Sequence, residues 1–64
     1  MRKGKTYRHR NCIDMDMWII KIQYLGPRYM KLKICWVNRF NPNILHPDHV
    51  TVQLKDMCNW AEVA

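Results

Sequence analysis

Residues 17–37, MWIIKIQYLGPRYMKLKICWV, decide the fold. Two runs rich in apolar and β-branched residues, MWIIKIQYL and YMKLKICWV, flank Gly26-Pro27-Arg28, which is how a β-hairpin reads in sequence. Its register follows from which residues can share a face, because side chains directly opposite in an antiparallel ladder lie on the same side. A two-residue loop sets Ile22 against Lys31 and Ile20 against Lys33, which mixes the faces. A three-residue loop sets Tyr24 against Met30, Ile22 against Leu32, Ile20 against Ile34 and Trp18 against Trp36, all of them apolar pairs. That register predicts a core face of Trp18, Ile20, Ile22, Met30, Leu32, Ile34 and Trp36. The opposite face then carries Lys21 against Lys33, Gln23 against Lys31, Ile19 against Cys35 and Leu25 against Tyr29.

Outward from the hairpin the signals are weaker. Residues 6–12, TYRHRNC, combine β-forming Thr and Tyr with Arg and His, the mixture of a charged edge strand that discourages pairing between sheets. IDMD at 13–16 reads as a turn, and MRKGK at 1–5 as a mobile basic arm. A single small domain is then expected over residues 6–64. On the other side, NRFNPNILHPDH at 38–49 contains two prolines and several Asn and Asp and is expected to be one long loop. Residues 50–54 alternate Val50, Val52 and Leu54 with Thr51 and Gln53, as a half-buried strand does. The tail KDMCNWAEVA has two readings. Leu54, Met57, Cys58 and Ala61 fall at helical spacing, whereas a single 3₁₀ turn followed by a strand over 60–63 fits its small share of strong helix formers better.

Composition narrows the functions. The chain has 64 residues, enough for one domain. Eleven Lys and Arg against five Asp and Glu give a net charge of +6, which points first to an anionic partner. No serine occurs, and there are only two glycines and a single glutamate, Glu62. A serine nucleophile, a glycine-rich phosphate loop and a Glu pair are thereby excluded. Cys12, Cys35 and Cys58 make an odd count, so free thiols in a reducing, cytoplasmic setting are expected rather than a disulfide framework. Residues 7–11 are polar and basic where the apolar stretch of a signal peptide would follow the basic start, so no export signal is expected. The longest apolar runs, of which residues 17–20 are one, are far shorter than the ~20 residues of a membrane-spanning helix, so no membrane association is expected.

A basic first strand, a long hairpin, a fourth strand and the closing stretch VTVQLKDMCNWAEV at 50–63, with a 3₁₀ turn before a short last strand, resemble the layout of Src-homology-3-like small barrels. The resemblance covers residues 6–63 and implies an all-β, five-stranded barrel. It also implies a binding module, for nucleic acid, methylated tails, proline-rich peptides or other proteins, without choosing among them. The run of acidic residues typical of the loop that holds proline-rich peptides is missing from this chain.

Two surfaces are candidates for function. Arg8, Arg10, Lys21, Lys31 and Lys33, with Arg28 and Arg39 in the loops, form one basic face if the first strand pairs beside the hairpin, and such a face contacts phosphates. Tyr7 and Tyr29 are candidate stacking platforms beside it for unpaired bases. The competing surface is apolar, with Ile19, Leu25, Tyr29, Cys35 and Val37 on the outer side of the hairpin. It would serve a protein interaction module, either a homodimer or a small accessory or inhibitor protein of viral or mobile-element type. Neither reading needs a cofactor or catalysis. His46-Pro47-Asp48-His49 and the evenly spaced cysteines lack the close Cys pairs of a zinc site, so no metal is expected. A reactive Cys35 thiol would need an enclosed pocket, for which the chain looks too short.

Overall fold

The computed structural model describes residues 1–63; Ala64, the last residue of the expected domain, lies outside them. The described residues form an all-β fold with five strands: β1 (Thr6–His9), β2 (Met15–Leu25), β3 (Tyr29–Asn38), β4 (Leu45–Gln53) and β5 (Trp60–Glu62). A 3₁₀ segment, Leu54–Asn59, joins β4 to β5, so the tail adopts the turn and strand and not the helix. All pairings are antiparallel, in the order β4-β3-β2-β1-β5. No ladder joins β4 to β5 among the described residues, so the sheet stays open and does not close into the expected barrel.

The hairpin register holds from the tip inward: Leu25 faces Tyr29, Tyr24 faces Met30, Gln23 faces Lys31, Ile22 faces Leu32 and Lys21 faces Lys33. Gly26 supplies the positive φ of 74° that the turn requires, a conformation that costs residues with a Cβ. Beyond Lys21 the register shifts by one. Ile20 has no partner, and Ile19 faces Ile34, Trp18 faces Cys35 and Met17 faces Trp36. One extra residue in one strand is a β-bulge, and it exchanges the two faces of everything that precedes it. The shift falls at the adjacent isoleucines Ile19 and Ile20, of which Ile19 is buried and Ile20 half-buried.

The consequence for the core is specific. Met17, Ile19, Met30, Leu32 and Ile34 are fully buried, with Tyr7 and Val52 closing the cluster. Trp18, expected inside, stands 41% exposed on the outer face. Ile20, Ile22 and Trp36 are half-buried rather than central. The cross-strand pair of Trp18 and Trp36 does not form, because the bulge turns Trp18 away.

Three segments differ from the expected boundaries. The first strand ends at His9 and not at residue 12, and β2 begins at Met15, inside the expected turn. The long loop shrinks to residues 39–44, because β4 starts at Leu45 and runs through Pro47. Proline removes one ladder donor, which an edge strand tolerates and a central one does not, and β4 is an edge. Residues 1–5, expected to be a free arm, are tied to the sheet. The Gly4 N–H donates to the Ile19 carbonyl at 2.8 Å and the Ile19 N–H to the Lys5 carbonyl at 2.9 Å. Met1 packs against the core cluster.

Candidate functional site

The pairing of the β2-β3-β4 meander sorts the residues of its outer face into rows. From the hairpin tip the rows are Leu25, Tyr29 and Gln53; then Gln23, Lys31 and Thr51; then Lys21, Lys33 and His49; then Trp18, Cys35 and Pro47. Lys21, Lys31 and Lys33 are exposed, and with Gln23 and His49 they line one shallow surface groove of about 270 Å³. Lys33 thus has a lysine directly opposite on one side and a histidine on the other. Like charges in facing positions destabilise a sheet unless a counter-charge intervenes.

Among the described residues, no carboxylate intervenes. The Asp16 carboxylate accepts from Arg8 at 3.0 Å and from Arg39 at 2.8 Å. Asp48, although adjacent to His49 in sequence, points to the inner side, where it accepts from Trp36 Nε1 at 3.0 Å. Asp56 lies beside His9 at 3.8 Å and accepts from Asn59. Asp14 accepts from the Cys12 thiol, and Glu62 sits on β5 opposite Tyr7, away from the meander. Among the described residues, no ion pair involves Lys21, Lys31 or Lys33.

The other predicted site residues separate from this groove. Arg8 lies on the outer side of β1 but is held by Asp16, and Arg10 borders a different hollow with His9, Cys12, Cys58 and Trp60. Tyr29 is 42% exposed, on the same face and strand as Lys31 and Lys33. Tyr7 is no platform, since it is buried and its hydroxyl accepts the Arg2 N–H at 2.8 Å. Ile19 leaves the apolar outer strip altogether, because the bulge places it in the core with 0% exposure. Leu25 and Tyr29 remain outside at the tip, and Val37 lies half-buried at the far end with the lysines between, so no continuous apolar strip exists.

Two residues of this face escaped the sequence reading. Trp18 borders the lysine rows because of the bulge, and the Ile19-Ile20 doublet was its only signal. His49 joins them because β4 starts five residues earlier than its alternating pattern suggests, with Pro47 inside it. Exposed apolar residues gather elsewhere. Ile13 at 78% and Phe40 at 81% exposure lie on the β1–β2 and β3–β4 loops, which Arg39 joins by donating to the Ile13 and Cys12 carbonyls.

Arg39 and Asp16 are the electrostatic centre of that end. The Asp16 side chain is nearly buried, and the hydrogen bonds from Arg8 first, then Arg39, hold its carboxyl below the ordinary carboxylate value. Asp48 is lowered likewise, by the Trp36 indole first and then the His49 backbone N–H. An open hollow of about 640 Å³, within the size range of ordinary ligand sites, lies between β4, the 3₁₀ segment and β5, where Trp36 and Trp60 face His9 and Asp56. The Trp60 Nε1–H, buried there, has no hydrogen-bond partner among the described residues.

No group of three or more His, Cys, Asp or Glu side chains is placed to hold a metal ion among the described residues. Among those residues, no helix is long and apolar enough to cross a membrane. Cys35 is buried, Cys12 half-buried and Cys58 exposed, all as free thiols. Titration of the folded protein with a thiol reagent should therefore label Cys58 first, Cys12 more slowly and Cys35 only on unfolding. Equal rates at all three positions would contradict this packing. Comparison with known protein families, with curated proteins and with solved structures finds no match to this chain.

Proposed function

We propose that the protein is a non-enzymatic binding module for nucleic acid, with little sequence specificity, and that its outer meander face is the binding surface. The observation that carries this reading is the row of Lys21, Lys33 and His49 beside Lys31, assembled without a carboxylate in a chain of net charge +6. Such a face keeps its mutual repulsion until phosphates arrive, and phosphate contacts carry position and affinity rather than sequence. The strand order, with a 3₁₀ segment before the short β5, supports reading the fold as Src-homology-3-like in layout. The free thiols support a reducing, cytoplasmic setting.

The test is a titration with mixed-sequence oligonucleotides at several salt concentrations. Each of Lys21→Ala, Lys31→Ala and Lys33→Ala should weaken all sequences by a similar factor and make the salt slope shallower by about one unit. Folding stability should move by no more than about 0.5 kcal/mol. Absence of binding at low salt, or salt slopes equal to that of the unchanged protein, would remove this reading. Exposed Ile13, Phe40, Ile44 and Leu45, on or beside the two loops that Arg39 joins, favour a second one, a protein interaction or homodimer module using the loop end of the sheet. Association through that end would persist at high salt, where phosphate binding fades.

A further inference from the structure

We infer that the nucleic acid bound on the outer face is a single strand, with bases stacked on Trp18 and Tyr29 at the two ends of the lysine rows. The inference rests on the nucleic-acid reading above and adds the form of the ligand and its length. Both rings face solvent, at 41% and 42% exposure, and both lie on the same face as Lys21, Lys31 and Lys33. Tyr29 occupies the tip row, and Trp18 faces Cys35, six residues further along β3. At ~3.4 Å per residue of antiparallel strand, the two rings stand roughly 20 Å apart along the strand direction.

That separation sets the footprint. Nucleotides in a stacked strand rise ~3.4 Å each, so roughly 20 Å accommodates about six steps, and fewer where the strand is splayed. A site of about four to seven nucleotides follows, at the small end of the range for single-strand binders. The backbone between the two stacked bases would cross Lys31 and the Lys21-Lys33 row, so the phosphates that pass over these rows meet lysines that lack an internal ion-pair partner. A duplex fits this face poorly for two reasons. Its bases are stacked on each other and offer no free π-face, and a sheet three strands wide exceeds the two-stranded ribbon that the major groove admits. Without the bulge at Ile20, Trp18 would point into the core and one platform would be lost.

The chemistry recognised, an unpaired base beside a phosphate, is common to DNA and RNA. The experiment therefore uses oligothymidylate and oligouridylate of 3, 6 and 12 nucleotides, together with a 12-base-pair duplex, at low salt. Six-nucleotide strands should bind nearly as tightly as 12-nucleotide strands, and three-nucleotide strands far more weakly. Trp18→Ala and Tyr29→Ala should each weaken single-strand binding by roughly 5- to 150-fold, the worth of one stacked base. The salt slope should stay as it was, since no phosphate contact is lost, and Trp18→Phe should recover most of the affinity. Duplex bound as tightly as single strand and unaffected by Trp18→Ala would overturn the inference while leaving the lysine face as a phosphate surface. Failure of every oligonucleotide to bind would remove the parent reading as well.

Discussion

Replacing Asp16 by Ala should lower the folding stability by about 3 kcal/mol, the low end of the cost of taking one partner from a buried ion pair. Asp16 is only 7% exposed and is the shared acceptor of Arg8 and Arg39. Its loss leaves two guanidinium groups facing each other and frees Arg39, whose donors tie the β1–β2 loop to the end of β3. The low end of the range applies because the Arg8 side chain is 46% exposed and can turn to water. A chain of 64 residues has a total stability of roughly 3 to 10 kcal/mol, so the variant should lose about a third or more of it and show a clearly lower urea midpoint.

The same carboxylate sets part of the acid limb. Its folded pKa is depressed by Arg8 and Arg39 below the unfolded value of about 3.9. The stabilisation is therefore fully present above that unfolded value and is lost as pH falls through the folded one. Urea midpoints should fall below about pH 4 in the unchanged protein. Asp16→Asn should lack much of that fall while retaining the share due to Asp48, also depressed. Equal urea midpoints for Asp16→Ala and the unchanged protein at pH 7 would show that the pair contributes nothing.

Ile19→Lys should abolish folding, whereas Trp18→Lys, one residue earlier, should leave a folded protein. Ile19 is fully buried among the residues of the core cluster, and removing such a side chain alone costs about 2 to 5 kcal/mol before the burial of a charge is added. Trp18 faces the lysine side and has solvent over two-fifths of its surface, so a lysine there has water to enter. It would also lengthen the basic row at the expense of the proposed stacking platform. Circular dichroism and thermal melts of the two variants decide the matter. A regular register without the bulge predicts the opposite order, with Trp18→Lys lethal to the fold.

The hairpin was legible near its tip because, of the two loop lengths, only the three-residue loop sets apolar residues against apolar residues without mixing lysines into that face. The reading failed at Ile20, where a strict period of two was continued across a doublet of isoleucines that breaks it. One residue of slip exchanged Trp18 for Ile19, and with them a core residue for a surface one. Pro47 misled in a different way. A proline argues against a central strand, and the sequence does not announce that β4 lies at an edge where the missing donor does no harm. Asp16 was read as part of a turn, so its hold on Arg8 stayed hidden and Arg8 was grouped with free lysines. Sheet closure was beyond local pattern altogether, because it depends on where β4 and β5 come to lie and not on any residue period.

The ladders also differ in how much chain must be closed to make them. The β2-β3-β4 meander joins neighbours in sequence, whereas Tyr7 on β1 meets Glu62 on β5, almost the whole chain away. Closing a longer loop costs more entropy before any contact repays it, so the meander has the lower barrier and the β1–β5 seam forms last. The seam is also short, since β5 has three residues, and it is therefore the first part to open. Lys21, Lys31, Lys33, Trp18 and Tyr29 all sit on the meander. The proposed binding face thus belongs to the part of the molecule expected to assemble early and to outlast the opening of its ends.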